Sequence, residues 1–284
     1  MPRPRSEAAT ARTTAVLPET PPLPAATRAG ATRGRPAGRH PDETRERILN
    51  AAEALFADNG FHGTSMRDVA RAVAVQTAAV SYHYASKDDL FDSVVGRRAT
   101  VMTAYRQTEL DALRKAFGQR PVPLDRLVRT YVQPFVESAS HGDPGWRHYA
   151  ALMGRLANSP LGTEVIARHY DATARAYLRE FTRSLPGVAE ATVVNGFTFM
   201  VASMLALCSD TGRARRLLRR APAGDAHEGH DGQLGHDGHD GHNAHDGQLH
   251  AAFEHLVGFL VAGFLALPPG MAARRRRAAA PARA

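Results

Sequence analysis

Residues 44–70 read TRERILNAAEALFADNGFHGTSMRDVA, and residues 81–91 read SYHYASKDDLF. The first stretch begins with apolar residues at spacings of three and four, which predicts one buried stripe on a helix. The pair Asn59-Gly60 is suited to a left-handed end for that helix. The residues of the stripe are Ile48, Ala51, Ala52, Leu55 and Phe56.

A second helix is predicted from Ser65, because Asp68 three residues later completes a capping box. A third short helix is expected from about Gln76 to His83. Ser86-x-x-Asp89 is another capping pattern, and it opens a longer helix with Leu90, Phe91 and Val94 facing inward. Two short helices joined by a tight turn, with longer helices on both sides, are typical of a helix-turn-helix domain.

Together the two quoted stretches resemble the TetR family of transcriptional regulators. Two positions depart from the family's usual pattern, because Ala74 stands where glycine is usual and Tyr84 where phenylalanine is more frequent. The resemblance implies an all-α protein with a three-helix helix-turn-helix domain followed by a helical ligand-binding and dimerisation domain. From Trp146 through Leu185 the chain is similar to a branch that includes a fatty-acid-responsive member, and we take no ligand identity from that similarity.

The third helix would enter the major groove of DNA with its first half facing the bases. Gln76 can pair with adenine, while the methyl groups of Thr77 and Ala79 suit thymine. Tyr82 and His83 are placed for phosphate oxygens, whereas Tyr84 is expected in the core. With the residues that the family resemblance adds, the predicted DNA contacts of this domain are Thr64, Ser65, Gln76, Thr77, Ala79, Tyr82, His83 and Lys87.

Positive charge is concentrated outside the helix-turn-helix. The formal net charge is +8, residues 1–40 hold seven Arg against two Glu, and residues 268–284 hold five Arg and no acid. Both segments have compositions expected to be disordered, and they suit a polyanionic partner. The other interpretation is a pair of solubilising tails. Arg33 and Arg35, in Arg33-Gly34-Arg35-Pro36, are predicted to reach an A·T-rich minor groove.

Residues 99–267 are expected to form the ligand-binding and dimerisation domain, after a DNA-binding domain at 41–98. Helix breaks are predicted at 118–123, 141–145, 159–160 and 186–187. Two runs, 191–208 and 253–267, are apolar nearly all round, which predicts packing against the partner of a homodimer. Candidate residues for an effector pocket, each of which also suits an ordinary core, are Trp146, Tyr149, Met153, His169, Tyr170, Tyr177, Phe197, Met200 and Met204.

A histidine-rich segment interrupts this domain at about residues 221–250, where His-Asp-Gly occurs four times. We interpret it as a disordered insert between two helices, since frequent glycine denies a rigid metal geometry. The alternative is a metal-responsive element, because imidazole and carboxylate ligands suit Ni(II), Zn(II) or Cu(II). Its candidate ligands are His230, His236, His239, His242 and His245.

No phosphate-binding loop, nucleophile elbow or spaced metal-ligand set is apparent, so an enzyme is not expected and no cofactor is predicted. The apolar runs are judged too short for a membrane span, and no signal peptide is recognised, which indicates a cytoplasmic protein. The sequence therefore predicts a regulator that binds a palindromic operator in double-stranded DNA and is released by a small apolar effector. The resemblance to the TetR family favours a repressor, and the sequence itself does not show the sign. A metal-binding protein and a nucleoid protein without sequence specificity are the alternatives from other classes.

Overall fold

A computed structural model describes residues 41–141, 143–209, 217 and 240–270. In this part of the chain the architecture is all-α, as predicted, and its only β pairing is an isolated bridge between Val188 and Pro269. The helices are α1 Pro41–Asn59, α2 Met66–Ala72, α3 Thr77–His83, α4 Lys87–Phe117, α5 Leu124–His141, α6 Pro144–Leu156, α7 Pro160–Ser184, α8 Glu190–Cys208 and α9 Asp240–Leu265.

The ends of the first three helices follow the capping chemistry that the sequence predicts. Gly60 ends α1 with a positive φ of 74°, and Ser65 and Asp68 form a complete capping box at α2. The turn between α2 and α3 contains Ala74 at a φ of 55°, a left-handed conformation that is unfavourable for a residue with a Cβ. The helix-turn-helix therefore keeps its usual turn geometry although glycine is absent from it.

α4 runs for 31 residues and connects the two parts of the chain. The predicted domain boundary at residue 98 falls inside this helix, so the helix-turn-helix and the body share one continuous element. The body consists of α5 to α9 together with the second half of α4. The gaps between α4 and α8 coincide with the four predicted breaks, because proline and glycine interrupt the helical hydrogen bonds there.

Helix α9 begins at Asp240, earlier than the sequence analysis expected. The prediction of a disordered insert up to residue 250 is therefore wrong for its last part, which forms the first turns of α9. The rest of the histidine-rich segment, residues 1–40 and residues 271–284 lie outside the described residues.

Two neighbouring helices, α8 and α9, leave large apolar side chains uncovered. Phe199 on α8 and Phe259 on α9 are 65% and 71% exposed, and Leu265 is also exposed. By length and composition alone α8 could cross a membrane, so the judgement that no apolar run is long enough was wrong. Its other face packs in the core through Val193, Met200 and Met204, a pattern that bundle helices also show.

Candidate functional site

The short helix α3 presents an outward face that is free for a partner. Val80 is fully buried beneath it, whereas Tyr82 is 84% exposed. Gln76 is exposed at the N-terminal end of the helix and makes no side-chain capping bond. Thr77 and Ala79 are half-buried, as is His83, whose ring lies edge-on to Tyr82 at a centroid distance of 5.3 Å. The structure thus brings the predicted base-reading and phosphate-contacting residues onto one short helix.

Two further residues of α3, Ala78 and Ser81, are exposed on the same helix and were missed by the sequence analysis. The helical period gave this signal, because positions two residues before and one residue after the inward-facing Val80 lie on other faces of the helix. Tyr84 is 4% exposed, which confirms that it lies in the core, and the phosphate contact expected of Tyr82 stays a prediction.

Thr64 has an internal role. It is 2% exposed, and its hydroxyl donates to the carbonyls of Leu55 at 3.1 Å and Gly60 at 3.0 Å. The hydroxyl of Ser65 donates to Asp68 at 2.6 Å and accepts from the Asp68 N–H as part of the capping box. These contacts fix the junction between α1 and α2, so in this structure the Thr64 hydroxyl bonds the protein itself.

Lys87 also has partners within the protein. Its Nζ donates to the carbonyl oxygens of Phe61 at 3.0 Å and Thr64 at 3.2 Å, and it lies 4.1 Å from the centre of the Phe61 ring. The sequence analysis named Lys87 as a DNA contact. That contact stays a prediction, and the structure gives Lys87 a second role, because it fastens the α1–α2 loop to α4.

Most other cations of the helix-turn-helix are paired as well. Arg71 pairs with Asp68, Arg47 donates to the Val73 carbonyl, and Arg45 lies over the Tyr84 ring. Arg67 is exposed on α2. Residues 41–98 carry seven basic and nine acidic side chains, so this surface offers little charge for the DNA backbone. The predicted contacts Arg33 and Arg35 lie outside the described residues.

In the body, the predicted pocket residues are nearly all buried together. The buried members are Trp146, Tyr149, Met153, Tyr170, Tyr177, Phe197, Met200 and Met204. His169 is separate from them: it lies against Gly96 of α4 and its ring bonds Asp92 at 3.0 Å near the surface. His169 is therefore placed as a link between α4 and α7.

A buried arginine lies among these residues and was missed by the sequence analysis. Arg106 on α4 is 1% exposed, and its Nε donates to the Tyr131 carbonyl at 2.9 Å. Its guanidinium stacks over the Tyr131 ring at 3.8 Å. Tyr149 and Tyr170 join their hydroxyls at 2.5 Å, and burial raises the pKa of Tyr170 to about 12. No local pattern marks Arg106 in the sequence, since arginine within a long amphipathic helix is usually exposed.

A second buried charge cluster joins the helix-turn-helix to the body. Glu53 of α1 is 1% exposed and accepts from Arg98 at both oxygens, each at 3.0 Å, and from Arg97 at 2.8 Å. Arg98 also donates twice to Asp143, at 2.8 and 2.9 Å, and lies 4.7 Å from the Trp146 ring. One guanidinium therefore connects α1, α4 and α6.

Asp143 has a further role, because it caps α6 through the N–H of Gly145 at 2.9 Å. Hydrogen bonding from Arg98 holds the pKa of Asp143 below its usual value. A Cβ at Gly145 would collide with Arg98 Nη2 and Glu53 Oε2, so only glycine fits there without displacing the cluster. At the other end of α6, Arg155 donates to the Asp58 carbonyl at 2.9 Å, so both ends of α6 are bonded to α1 or its partners.

The described residues contain no cluster of three or more potential metal ligands. His230, His236 and His239 lie outside the described residues. His242 and His245 belong to α9, but their side chains are not described.

Two family models match the chain. Residues 48–94 match the model described as bacterial regulatory proteins, tetR family, and residues 129–229 match the tetracyclin repressor-like C-terminal domain. Together they take in just over half of the chain. The chain belongs to the TetR family. The short helix α3 lies within the first matched region, and the second matched region takes in most of α5 and all of α6, α7 and α8.

Curated relatives from the TetR family match over part of their length. The regulator UidR of Escherichia coli is 38% identical over 52 residues, which cover 18% of this chain and 26% of UidR. The repressor BepR of Brucella suis is 33% identical over 32% of this chain and 40% of its own length. The activator FasR of Mycolicibacterium smegmatis is 31% identical over 37% and 45%. The chain thus matches less than half of each, and all three are named as regulators of transcription.

Among solved structures, the fatty acid degradation regulator FadR from Bacillus halodurans is similar to this chain. The match covers 81% of this chain and 98% of the FadR chain, at 12% sequence identity and a TM-score of 0.48.

Proposed function

We propose that this protein is a ligand-responsive regulator that binds a palindromic operator as a homodimer and is released by a small, largely apolar effector. The observation that carries the proposal is the outward face of α3, where Gln76 and Tyr82 are exposed while Val80 holds the helix on the core. A short helix with one buried residue and a free polar face is what major-groove recognition requires.

The test separates base reading from backbone binding. The protein is titrated with its own upstream intergenic DNA and with a scrambled duplex at fixed salt. Gln76→Ala is expected to lower the affinity for the operator alone, by about 1–3 kcal/mol if Gln76 pairs with a base. Tyr82→Phe, which removes one hydroxyl, is expected to weaken binding to both duplexes alike.

Gln119→Ala is the matched control, because Gln119 is exposed beyond the far end of α4. Its DNA binding should equal that of the parent protein. If Gln76→Ala and Gln119→Ala bind both duplexes equally well, α3 does not read the operator.

The uncovered apolar side chains of α8 and α9 support a homodimer. Phe199 and Phe259 are large, exposed and carried by two helices that pack together, and exposed apolar patches of this kind mark association surfaces. Phe199→Glu or Phe259→Glu should convert a dimer into a monomer in light scattering coupled to size exclusion. Tyr82→Glu also places a charge on an exposed aromatic position, but on the DNA-binding helix, so this variant should stay dimeric.

A continuous set of contacts supports control of DNA binding by an effector. Trp146 lies edge-on to Tyr149 at 5.8 Å in the buried body and also touches Arg98, which holds Glu53 of α1. An effector that alters the packing around Tyr149 would therefore shift α6 and, with it, α1. Such a ligand changes the equilibrium only by its difference in affinity for the two arrangements.

We propose that the protein represses transcription. BepR is named a repressor and FasR an activator, so the family alone does not decide it. We place the protein in the cytoplasm, where its operator is, and expect no enzymatic activity and no cofactor, in keeping with its named relatives. A reporter gene under the protein's own upstream region should be more active in a deletion strain, and lower activity there would indicate an activator.

A further inference from the structure

The described part of the chain contains two strongly buried arginines, and their surroundings differ. Arg98 is paired with the carboxylates of Glu53 and Asp143. Arg106 is more deeply buried, yet no carboxylate of the described residues forms an ion pair with it. Its hydrogen-bond partners are the Tyr131 carbonyl oxygen at 2.9 Å and the Met204 sulfur at 3.6 Å, which are both neutral.

These two contacts leave most of the guanidinium without a partner. A guanidinium has five N–H donors, and only one on Nε and one on Nη2 are used within the described residues. Burial of a charge without a counter-ion is unfavourable, and structures normally pair such a group or use it to bind a ligand. The two donors of Nη1 form no hydrogen bond to any described residue, so they are free for an anion.

Neutral phenols lie around Arg106, and one of them has a donor left for the same anion. Tyr177 donates to the Arg106 carbonyl at 3.0 Å, and Tyr149 shares a hydrogen bond with Tyr170. Burial raises the pKa of each of these tyrosines, while the charge of Arg106 acts in the opposite direction on Tyr170 and Tyr177. All three therefore remain protonated near neutral pH. The O–H of Tyr177 is used on the Arg106 carbonyl, and one hydroxyl of the Tyr149–Tyr170 pair donates to the other, so the second hydroxyl of that pair is the one left to donate to an oxyanion.

The remaining neighbours are apolar. Phe197 meets the Tyr131 ring at 4.9 Å, Phe135 meets Tyr149 at 6.2 Å, and Met200 lies one turn before Met204 on α8. Aromatic rings and methionines form adaptable apolar walls. The chemistry of the site is thus one cation with a neutral donor at one point and an apolar surface around it.

We infer that the effector is an apolar monocarboxylate whose carboxylate pairs with Arg106 while its hydrocarbon part lies among the buried aromatic and methionine side chains. This inference rests on the proposed ligand-responsive function and names the chemical class of its ligand. A planar carboxylate accepts two parallel hydrogen bonds from a guanidinium. A tetrahedral phosphate ester is the other anionic head group that arginine binds, so it is the competing candidate.

The experiment compares three probes that share one tail and differ in the head group: dodecanoate, dodecyl phosphate and dodecan-1-ol, each below the concentration at which it aggregates. Trp146 is the only tryptophan and lies beside Tyr149, so its fluorescence reports binding in the full-length protein. The parent protein should bind dodecanoate about ten- to a hundredfold more tightly than dodecan-1-ol, as charge-assisted hydrogen bonds predict.

Arg106→Met replaces the cation by an apolar side chain of similar length, and it should bind dodecanoate and dodecan-1-ol with the same affinity. Its melting temperature should not fall, because replacement of an unpaired buried charge relieves a desolvation cost. Arg175→Met is the matched control, since Arg175 lies on the same body but is exposed and paired with Asp171. That variant should keep the full preference for dodecanoate.

Equal affinity of the parent protein for the three probes, or no binding of any, would overturn the inference even if Arg106→Met fails to fold. Tighter binding of dodecyl phosphate than of dodecanoate would overturn the carboxylate assignment. A preference for dodecanoate that survives in Arg106→Met would show that Arg106 is not the anion's partner. Operator binding is measured on the same preparations, so loss of the ligand preference is distinguishable from failure of the regulator itself.

Discussion

Replacement of Glu53 by glutamine should destabilise this protein far more than the same change at Glu46, although both lie on α1 and both bond Arg97. Glu53 is 1% exposed and accepts three hydrogen bonds from two arginines, whereas the Glu46 side chain is 56% exposed and accepts one. Glutamine has nearly the same shape, so the change removes the charge and leaves no cavity.

The size of the effect follows from what Arg98 retains. Loss of one partner from a buried ion pair costs about 3–5 kcal/mol. Arg98 keeps Asp143, which is one-third exposed and partly compensates, so we expect the lower end, about 3 kcal/mol. For a chain of this size that corresponds to a fall in melting temperature of about 6–12 °C. Glu46→Gln should stay within about 0.5 kcal/mol of the parent protein.

The assay is urea unfolding followed by circular dichroism at one fixed protein concentration, because dimerisation makes apparent stability depend on concentration. Unchanged m-values would show that the two variants unfold the same structure. If Glu53→Gln and Glu46→Gln lose the same small amount, the cluster of Glu53, Arg98 and Asp143 does not hold α1 to the body.

Three further predictions concern separate features. Ala74→Gly should raise the free energy of unfolding by about 0.5–1 kcal/mol in urea titrations, because relief of the left-handed alanine outweighs the entropy of glycine; a decrease would show that Ala74 is not strained. The pKa of Asp143 is lowered in the folded state, so its contribution is present above the unfolded value of about 3.9 and is lost as pH falls through the folded pKa. Asp143→Asn should therefore unfold more easily than the parent at about pH 7 and approach it at about pH 3, and a difference independent of pH would exclude this carboxylate as the cause. Deletion of residues 1–40 should weaken binding to any duplex and flatten the slope of log K against log salt by about 0.9 for each phosphate that the arm neutralises, whereas an unchanged slope would show that the arm does not touch DNA.

Local chemistry made the helix-turn-helix predictable. Gly60, Ser65 and Asp68 act on residues within four positions of themselves, so their roles are visible as short patterns. The outward positions of α3 follow equally from helical periodicity around Val80. The length of α4 was not predictable in the same way, because nothing in the sequence near residue 98 distinguishes a domain boundary from the middle of a continuous helix.

Lys87 and Arg106 show why the sites themselves were harder to predict. Lys87 contacts carbonyls 23 and 26 residues earlier in the chain, and Arg106 contacts a carbonyl 25 residues later and a sulfur 98 residues later. Such partners depend on how the helices pack, and no local pattern encodes them. The sequence analysis therefore named Lys87 only as a DNA contact, whereas in the fold it bonds two carbonyl oxygens. It did not mention Arg106.

The spacing along α6 connects the two buried charges. Asp143, Trp146 and Tyr149 succeed one another at intervals of three residues, so they follow one face of the helix and its cap. The first bonds Arg98, the second lies against both Arg98 and Tyr149, and the third joins the tyrosines around Arg106. Because α6 is bonded to α1 at both ends, an anion that draws Arg106 and its tyrosines together would move the element that carries the helix-turn-helix. Arg106, which lacks a counter-ion, and Arg98, which has two, thus lie at opposite ends of this short series of contacts along α6. Arg106 is the end at which a ligand would act.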